Sequence, residues 1–277
     1  MKRTSVLQYI VIYAILIVFL TWSIYPILRV ISISIRPGDN LLNESLAIIP
    51  ENWTFDNYIK LFTEHSFLRW MWNSILVTGV VMLTGVALAS TAGYAISRYK
   101  FPGREASLMS LLVTQMFPAT MLLLPLFIML AKLHLINTYL GLIVIYTSTA
   151  LPFCIWQMKG YYDTIPYSLE EAARIDGASR FGAFYKVILP IATPALVITA
   201  LFSFMAAWTE YIVAAQVLQY ENMFTLPVGI KNFQANMTTE WGLYAASALV
   251  VSIPAVALFL FLTRYLVGGL TLGSVKG

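Results

Sequence analysis

Six apolar stretches, each about as long as a lipid bilayer is thick, run through the 277 residues of this chain. A hydrocarbon core about 30 Å thick is crossed by about 20 residues of helix. Residues 9–31, 72–97, 106–131, 141–158, 191–216 and 243–266 meet that length, interrupted chiefly by small polar residues, Pro or Gly. Only 11% of the chain is charged, against about 25% in soluble domains, and the mean hydropathy is +0.77. Most of the chain therefore meets lipid or other apolar helices. The expected fold class is an all-α membrane protein with six transmembrane helices.

Charge placement orients the spans. Lys2, Arg3, Arg98, Lys100, Arg104, Lys159, Arg174, Arg180, Lys186, Arg264 and Lys276 fall on one side, and Arg29, Arg36, Lys60, Arg69, Lys132 and Lys231 on the other. That is 11 of the 17 basic residues against 6, so both termini are expected in the cytoplasm. The net charge of +4 is scattered singly and forms no stripe for nucleic acid. Behind Lys2 and Arg3, the first stretch is too long for a signal-peptide core and lacks a small-x-small cleavage site, so it reads as an uncleaved span. The single cysteine, Cys154, lies in an apolar run and excludes a disulfide framework.

Gly85, Ala89 and Gly93 recur every four residues in the second stretch, a face on which helix backbones approach closely. In the external segment 54–64, Phe55, Tyr58, Ile59 and Phe62 fall on one helical face, as expected of a short helix lying in the membrane interface. The longest internal cytoplasmic segment is 159–190, KGYYDTIPYSLEEAARIDGASRFGAFYKVILP. Ser168 and Glu171 have capping-box spacing, predicting a helix start at Ser168. Glu170 and Glu171 then occupy the first turn, where the helix dipole favours acids. Gly177 is suited to end that helix, and Phe181, Phe184, Tyr185 and Ile188 continue as a second apolar stripe. Two short helices with a bend at Gly177 make an amphipathic knob fit to dock in a cleft of another protein.

Glu171-Ala172-Ala173, three residues, Gly177, nine residues and then Val187-x-Leu189-Pro190 resembles the EAA motif of ABC importer permeases, with Val187 where the family prefers Ile. The resemblance covers nearly the whole chain and narrows to carbohydrate importers. Asn73-Ser74, Tyr94-Ala95, Arg98-x-x-Phe101-Pro102-Gly103 and the end Gly269-Leu270-Thr271-x-Gly273-x-Val275-Lys276-Gly277 are similar to sugar permeases. Gln115-Met116-Phe117-Pro118-Ala119, Lys159-Gly160-Tyr161, Ser168-Leu169-Glu170-Glu171 and Thr209-Glu210 look like the MalG-type subunit of maltose/maltodextrin importers. Trp208-Thr209-Glu210 departs from the broader Trp-Asn-Glu pattern and suits the maltose type.

The resemblance implies a type I ABC importer permease (MetI-like) bundle. It would form one transmembrane permease domain over 1–277, with a core bundle at about 70–266, a coupling loop at 159–190 and a cytoplasmic tail at 267–277. The loop would dock on an ATPase through Ser168, Glu170, Glu171, Ala172, Ala173, Asp176, Gly177, Leu189 and Pro190. The tail residues Gly273, Val275, Lys276 and Gly277 would reach the ATPase dimer. Implied partners are a homologous second permease of the MalF type, two ATPase copies and an extracytoplasmic sugar-binding protein, in a bacterial inner membrane. The outer loop 219–241, with Asn222, Asn232, Gln234 and Asn236, would meet the binding protein. The cargo expected is maltose or maltodextrin; another oligosaccharide or a sugar such as trehalose is the alternative.

Glu210 is the only acid inside a span, near its external end. It is either a structural cap or a gate residue, because an unpaired charge deep in a bilayer is costly. Gln115 and Ser203 are weaker candidates to face the pathway. Pro118, Pro125, Pro152, Pro194 and Pro254 mark expected kinks. No lysine follows Gly or precedes Ser or Thr, so the chain has no Walker A loop. No cofactor is expected on this chain; ATP and Mg would sit on the partner ATPase. One intramembrane acid argues against an ion-coupled secondary transporter, and the lack of H-E-x-x-H or an intramembrane Asp pair argues against a membrane enzyme.

Overall fold

The structure, a computed structural model, describes residues 6–37, 49–50, 52–234 and 239–273, without the side chains of Ala119 and of residues 266–273. Lys2, Arg3, Asn236, Val275, Lys276 and Gly277 lie outside the described residues. Among those described, every regular element is helical. In chain order they are α1 (Val6–Ser34), α2 (Asp56–Thr63), α3 (Phe67–Arg98), α4 (Arg104–Gln115), α5 (Ala119–Lys132), α6 (Tyr139–Thr164), α7 (Ser168–Ile175) and α8 (Arg180–Ala183). A π-helical turn, Phe184–Ile188, leads into α9 (Leu189–Ile191), followed by α10 (Thr193–Trp208), α11 (Ile212–Val217), α12 (Leu226–Lys231) and α13 (Trp241–Gly273).

Four of the six expected spans are single apolar helices: α1, α3, α6 and the Trp241–Tyr265 part of α13. The other two are bent pairs of helices, beside Pro118 and Pro194, two of the prolines expected to mark kinks. The α4–α5 pair bends by 106° at Pro118, whose missing N–H and fixed φ end one helix before the next begins. At the start of the fifth stretch the chain bends by 77° between Arg180–Ile191, which belongs to the preceding loop, and Thr193–Trp208. Pro194 stands in the first turn of α10, where its ring cannot continue the ladder from the preceding turn. That stretch also stops at Trp208 and restarts at Ile212. Pro125, Pro152 and Pro254 stay inside α5, α6 and α13.

The chain divides into two compact units. The first joins Met1–Phe67 with Ile230–Ile253. There α1 carries apolar side chains almost all round, most of them exposed, the pattern of a helix surrounded by lipid or other helices. In α2 the inward face is Asn57 and Leu61. Asn57 Nδ2 donates to the carbonyls of Ser34 at 3.0 Å and Arg36 at 3.1 Å. Of the face expected outside, Phe55, Ile59 and Phe62 are exposed, as an interfacial helix requires, whereas Tyr58 is half-buried with its hydroxyl 2.8 Å from Ser34 Oγ.

The second unit, Leu68–Gly229 with Pro254–Gly277, holds two apolar cores, one toward each end of α3. One gathers Val77 and Val81 with Leu142, Ile145, Ala207, Ala214 and Val217. The other gathers Ala89, Tyr94 and Ile96 with Met158, Tyr162, Phe184, Ile188 and Ala195. The small-residue face of α3 packs closely on α6 and α10. A Cβ on Gly93 would lie 3.0 Å from the Lys159 backbone nitrogen of α6, and one on Gly85 2.6 Å from Ser203 Oγ of α10. Larger residues at those two positions would force the helices apart.

Candidate functional site

The segment between α6 and α10 folds as a helical knob whose turns are satisfied locally. Helix α7 ends at Gly177, which has φ +91°. Its N–H donates to Arg174 O at 3.1 Å, and the Ala178 N–H donates to Ala173 O at 2.9 Å. These paired bonds are a Schellman cap, and the left-handed residue it requires is the glycine expected there. The chain then restarts on Ser179, whose side chain accepts the Gly182 N–H at 3.0 Å, an N-cap. The expected capping box is not formed. Tyr167 is the N-cap, without a side-chain bond, and Ser168 is already the first helical residue. The turn begins early because the Pro166 and Tyr167 carbonyls accept from Leu169, Glu170 and Glu171.

Tyr167 and Glu170 are held from α3. Arg98 Nε–H donates to Glu170 Oε1, and Tyr94 O–H donates to Glu170 Oε2 at 2.8 Å. The Arg98 side chain is 2% exposed and that of Glu170 13%. Arg98 also donates from Nη2 to Ile165 O at 2.9 Å and lies 4.4 Å over the Tyr167 ring, while Tyr167 O–H donates to Ser97 O at 3.1 Å. A buried, charge-assisted pair with its remaining donors satisfied is the geometry in which an ion pair holds two elements together. Beneath it the rings of Tyr94, Tyr162 and Phe184 meet at 4.4 to 6.5 Å. Ser97 and Lys159 extend the network by binding Asp163 at 2.6 and 2.7 Å.

The apolar stripe of the knob divides in two. Phe184 and Ile188 are buried, whereas Ile175, Phe181 and Tyr185 are 86%, 72% and 61% exposed. Glu171, Ala172, Asp176 and Pro190 are exposed, and Ala173 and Leu189 half-buried. Beside this surface a pocket of about 200 Å³ is lined by Arg98, Glu170, Glu171, Arg174 and Arg180 together with Tyr94, Tyr99 and Tyr167. So the structure brings Glu170, Glu171 and the bend at Gly177 together on one knob. Glu170 faces the bundle and Glu171 faces out. From the sequence alone both acids belong to the docking surface and Tyr94 and Arg98 are only family signatures, while the roles of Tyr167 and Ser179 emerge from the structure. A cation at a helix C-terminus, where the dipole favours it, was the signal available for Arg98.

The remaining candidates lie elsewhere. Glu210 sits in the break before α11, accepting the N–H groups of Val213 at 2.8 Å and Ala214 at 3.1 Å and the Tyr146 hydroxyl at 2.7 Å. This is the capping geometry weighed for it. Ser203 is fully buried, 3.4 Å from Cys154 Sγ, at a helix–helix contact. Gln115 is exposed and donates to Thr149 O at 3.2 Å. Gly273 closes α13. Among the described residues no cluster of His, Cys, Asp and Glu is arranged to hold a metal.

Among the described residues, an all-helical fold with several membrane-length apolar helices and a buttressed knob between two of them defines a class of multi-pass membrane protein. The fold is shared with a crystal structure of a bacterial ABC transporter involved in the import of the acidic polysaccharide alginate. The TM-score is 0.80 at 25% identity, covering 96% of this chain and 98% of that one. The family model described as "Binding-protein-dependent transport system inner membrane component" matches residues 85–271, and the chain belongs to that family. It is 35% identical to the maltodextrin transport system permease protein MdxG of Bacillus subtilis over 92% of this chain and 91% of that protein. It is 37% identical to the maltose/maltodextrin transport system permease protein MalG of Escherichia coli over 95% and 94%. The chain is thus a multi-pass permease component of an ABC transport system and not itself an enzyme.

Proposed function

We propose that this chain is one permease subunit of an ATP-driven, binding-protein-dependent sugar importer in a bacterial cytoplasmic membrane, and that its α7–α8 knob docks on a separate ATPase. The observation that carries the reading is the knob itself. Its turns are capped and its rear is clamped to α3, yet Ile175, Phe181 and Tyr185 are held out of the core. Exposed aromatic and apolar side chains on a rigid mount favour a protein partner, because contiguous patches of this kind mark interaction sites. The charge bias supports a cytoplasmic side for the knob and for both termini.

This chain binds no nucleotide in the proposal; ATP and Mg belong to two copies of the ATPase, completed by a MalF-type second permease and an extracytoplasmic binding protein. The tail beyond Gly273 is proposed as a second ATPase contact. Maltose or maltodextrin is the cargo favoured by the likeness to MdxG and MalG, and the likeness to an arabinooligosaccharide permease and to the alginate importer keeps another oligosaccharide as the alternative.

The test is co-purification of the permease in detergent with an ATP-hydrolysing subunit from the same membrane. Phe181→Asp and Tyr185→Asp, which remove nothing from the core, are expected to release the ATPase while the permease pair stays assembled. Cross-linkers at positions 175, 181 and 185 that never reach an ATP-hydrolysing protein would overturn the docking. Sugar binding by the co-purified binding protein names the cargo, and failure to bind maltodextrins would overturn that part alone.

A further inference from the structure

Helix α3 holds more than the knob. At its other end Trp70 Nε1–H donates to Glu221 O at 3.1 Å and Arg69 Nε–H to Asn222 O at 3.3 Å. Asn73 Nδ2 donates to both Asn222 O and Phe224 O at 2.9 Å, and Ser74 Oγ accepts the Leu226 N–H at 2.7 Å. Trp70, Asn73 and Ser74 are buried. The segment they grip, around the 3₁₀ turn Glu221–Met223, has little regular structure of its own to use its polar groups. Its backbone is therefore satisfied by side chains of one face of α3. Positions 70, 73 and 74 share that face, being three and four residues apart.

Between these grips the helix is uninterrupted. Asn73 and Arg98 are separated by about 37 Å of helix at about 1.5 Å per residue. Of the four long helices, α1, α6 and α13 each contain a proline, and α3, with 32 residues, contains none. It is also held along its length, by one apolar core toward each end and by the close approaches at Gly85 and Gly93.

We propose that α3 is a transmission strut that joins the α7–α8 knob to the segment 221–226 on the opposite side of the membrane. Arg98 and Asn73 are its two positioning residues. The inference rests on the reading that the knob docks on an ATPase. A displacement of α7 either breaks the buried Arg98–Glu170 pair, leaving a carboxylate without its cation, or carries the end of α3 with it. The second path is the less costly one. With no proline to absorb the movement as a kink, it reaches Asn73, and the hydrogen bonds there pass it to the chain joining α11 to α12. By reciprocity a protein bound to that outer segment biases the position of the knob. The strut is thus a direct route by which a loaded binding protein outside signals to the motor inside.

The experiment uses the whole complex in lipid nanodiscs and reads the stimulation of ATP hydrolysis by sugar-loaded binding protein. Leu83 lies mid-strut with its side chain 67% exposed, away from both grips. Leu83→Pro is expected to leave assembly and unstimulated hydrolysis intact and to lower stimulation about five-fold or more, the lower end of typical allosteric couplings. Leu83→Ala is expected to match the unaltered complex. If Leu83→Pro does not assemble, a double-mutant cycle serves instead. Through one strut Asn73→Ala and Glu170→Gln are expected to be non-additive, the pair losing no more stimulation than the worse single change. Full stimulation in assembled Leu83→Pro, or strict additivity in the cycle, overturns the strut. A cross-link from position 181 to the ATPase checks the docking separately. Where that cross-link forms and stimulation survives Leu83→Pro, the strut alone has failed.

Discussion

Gly177 and Gly160 allow a single methyl group to be tried in two backbone conformations. An added Cβ meets nothing within 4 Å at either site, so packing contributes nothing and the sign of each effect is set by φ. Gly177 has φ +91°, and an L-residue forced into left-handed geometry loses about 1–2 kcal/mol. Gly160 lies inside α6, where replacing glycine by alanine gains up to about 1 kcal/mol. Gly177→Ala is therefore expected to raise local opening of the knob by about 5- to 30-fold, and Gly160→Ala to reduce opening of its own turn. Hydrogen exchange on the assembled complex reads this directly. The amides of residues 177 and 178, which donate to Arg174 O and Ala173 O, are expected to lose protection in Gly177→Ala alone. Equal protection at those amides in the two variants would refute the capping argument. Gly177→Pro is the stronger change, because it also removes the N–H that bonds Arg174 O. It is expected to uncouple ATP hydrolysis from uptake, and normal uptake in that variant would count against the docking.

Arg98→Ala strands Glu170 beside the aromatic cluster, and breaking a buried pair costs about 3–5 kcal/mol. A lower melting temperature in detergent that Arg98→Lys recovers in part is the expected result, and an unchanged one would show the pair to be idle. Glu210→Ala removes the acceptor for two N–H groups at the start of α11, a cap loss of about 0.5–2 kcal/mol. Exchange at Val213 and Ala214 should rise while the knob stays protected. Gly93→Val drives a side chain into the α6 backbone, where overpacking costs about 1–3 kcal/mol. Its expected signature is reduced thermal stability that Gly79→Val, at a site with no atom within 4 Å, does not show to that degree. Glu171→Gln alters an exposed side chain and is expected to leave the melting temperature unchanged while weakening ATPase co-purification. A stability loss there would mean that Glu171, and not Glu170 alone, braces the bundle.

What could be read from the residues was whatever is written in local spacing. Apolar length announced the membrane, and the small-residue repeat on α3 announced the close contacts later seen at Gly85 and Gly93. The EAA spacing announced a knob that turns at Gly177. The helix breaks were half legible. Proline marks where a ladder can fail, but Pro118 and Pro194 stand at helix starts and Pro152 and Pro254 inside helices, because only tertiary packing decides whether the lost bond is worth a new direction.

The illegible part was the division of labour between two adjacent acids. Glu170 and Glu171 look alike in sequence, and the family motif draws the eye to the second. Successive helix residues differ by about 100° in direction, so the pair can be divided between the bundle and the outside. Which one faces the bundle depends on an arginine 72 residues earlier in the chain. No window on α7 contains that residue. The same holds at the outer end, where Asn73 finds its carbonyl acceptors 149 and 151 residues away. Both grips carry family signatures, Asn73-Ser74 at one end of a span and Tyr94 with Arg98 at the other. That a single helix carries both, each hydrogen-bonded directly to chain remote in sequence, is the physical reason to propose α3 as the element through which the two faces of this permease are joined.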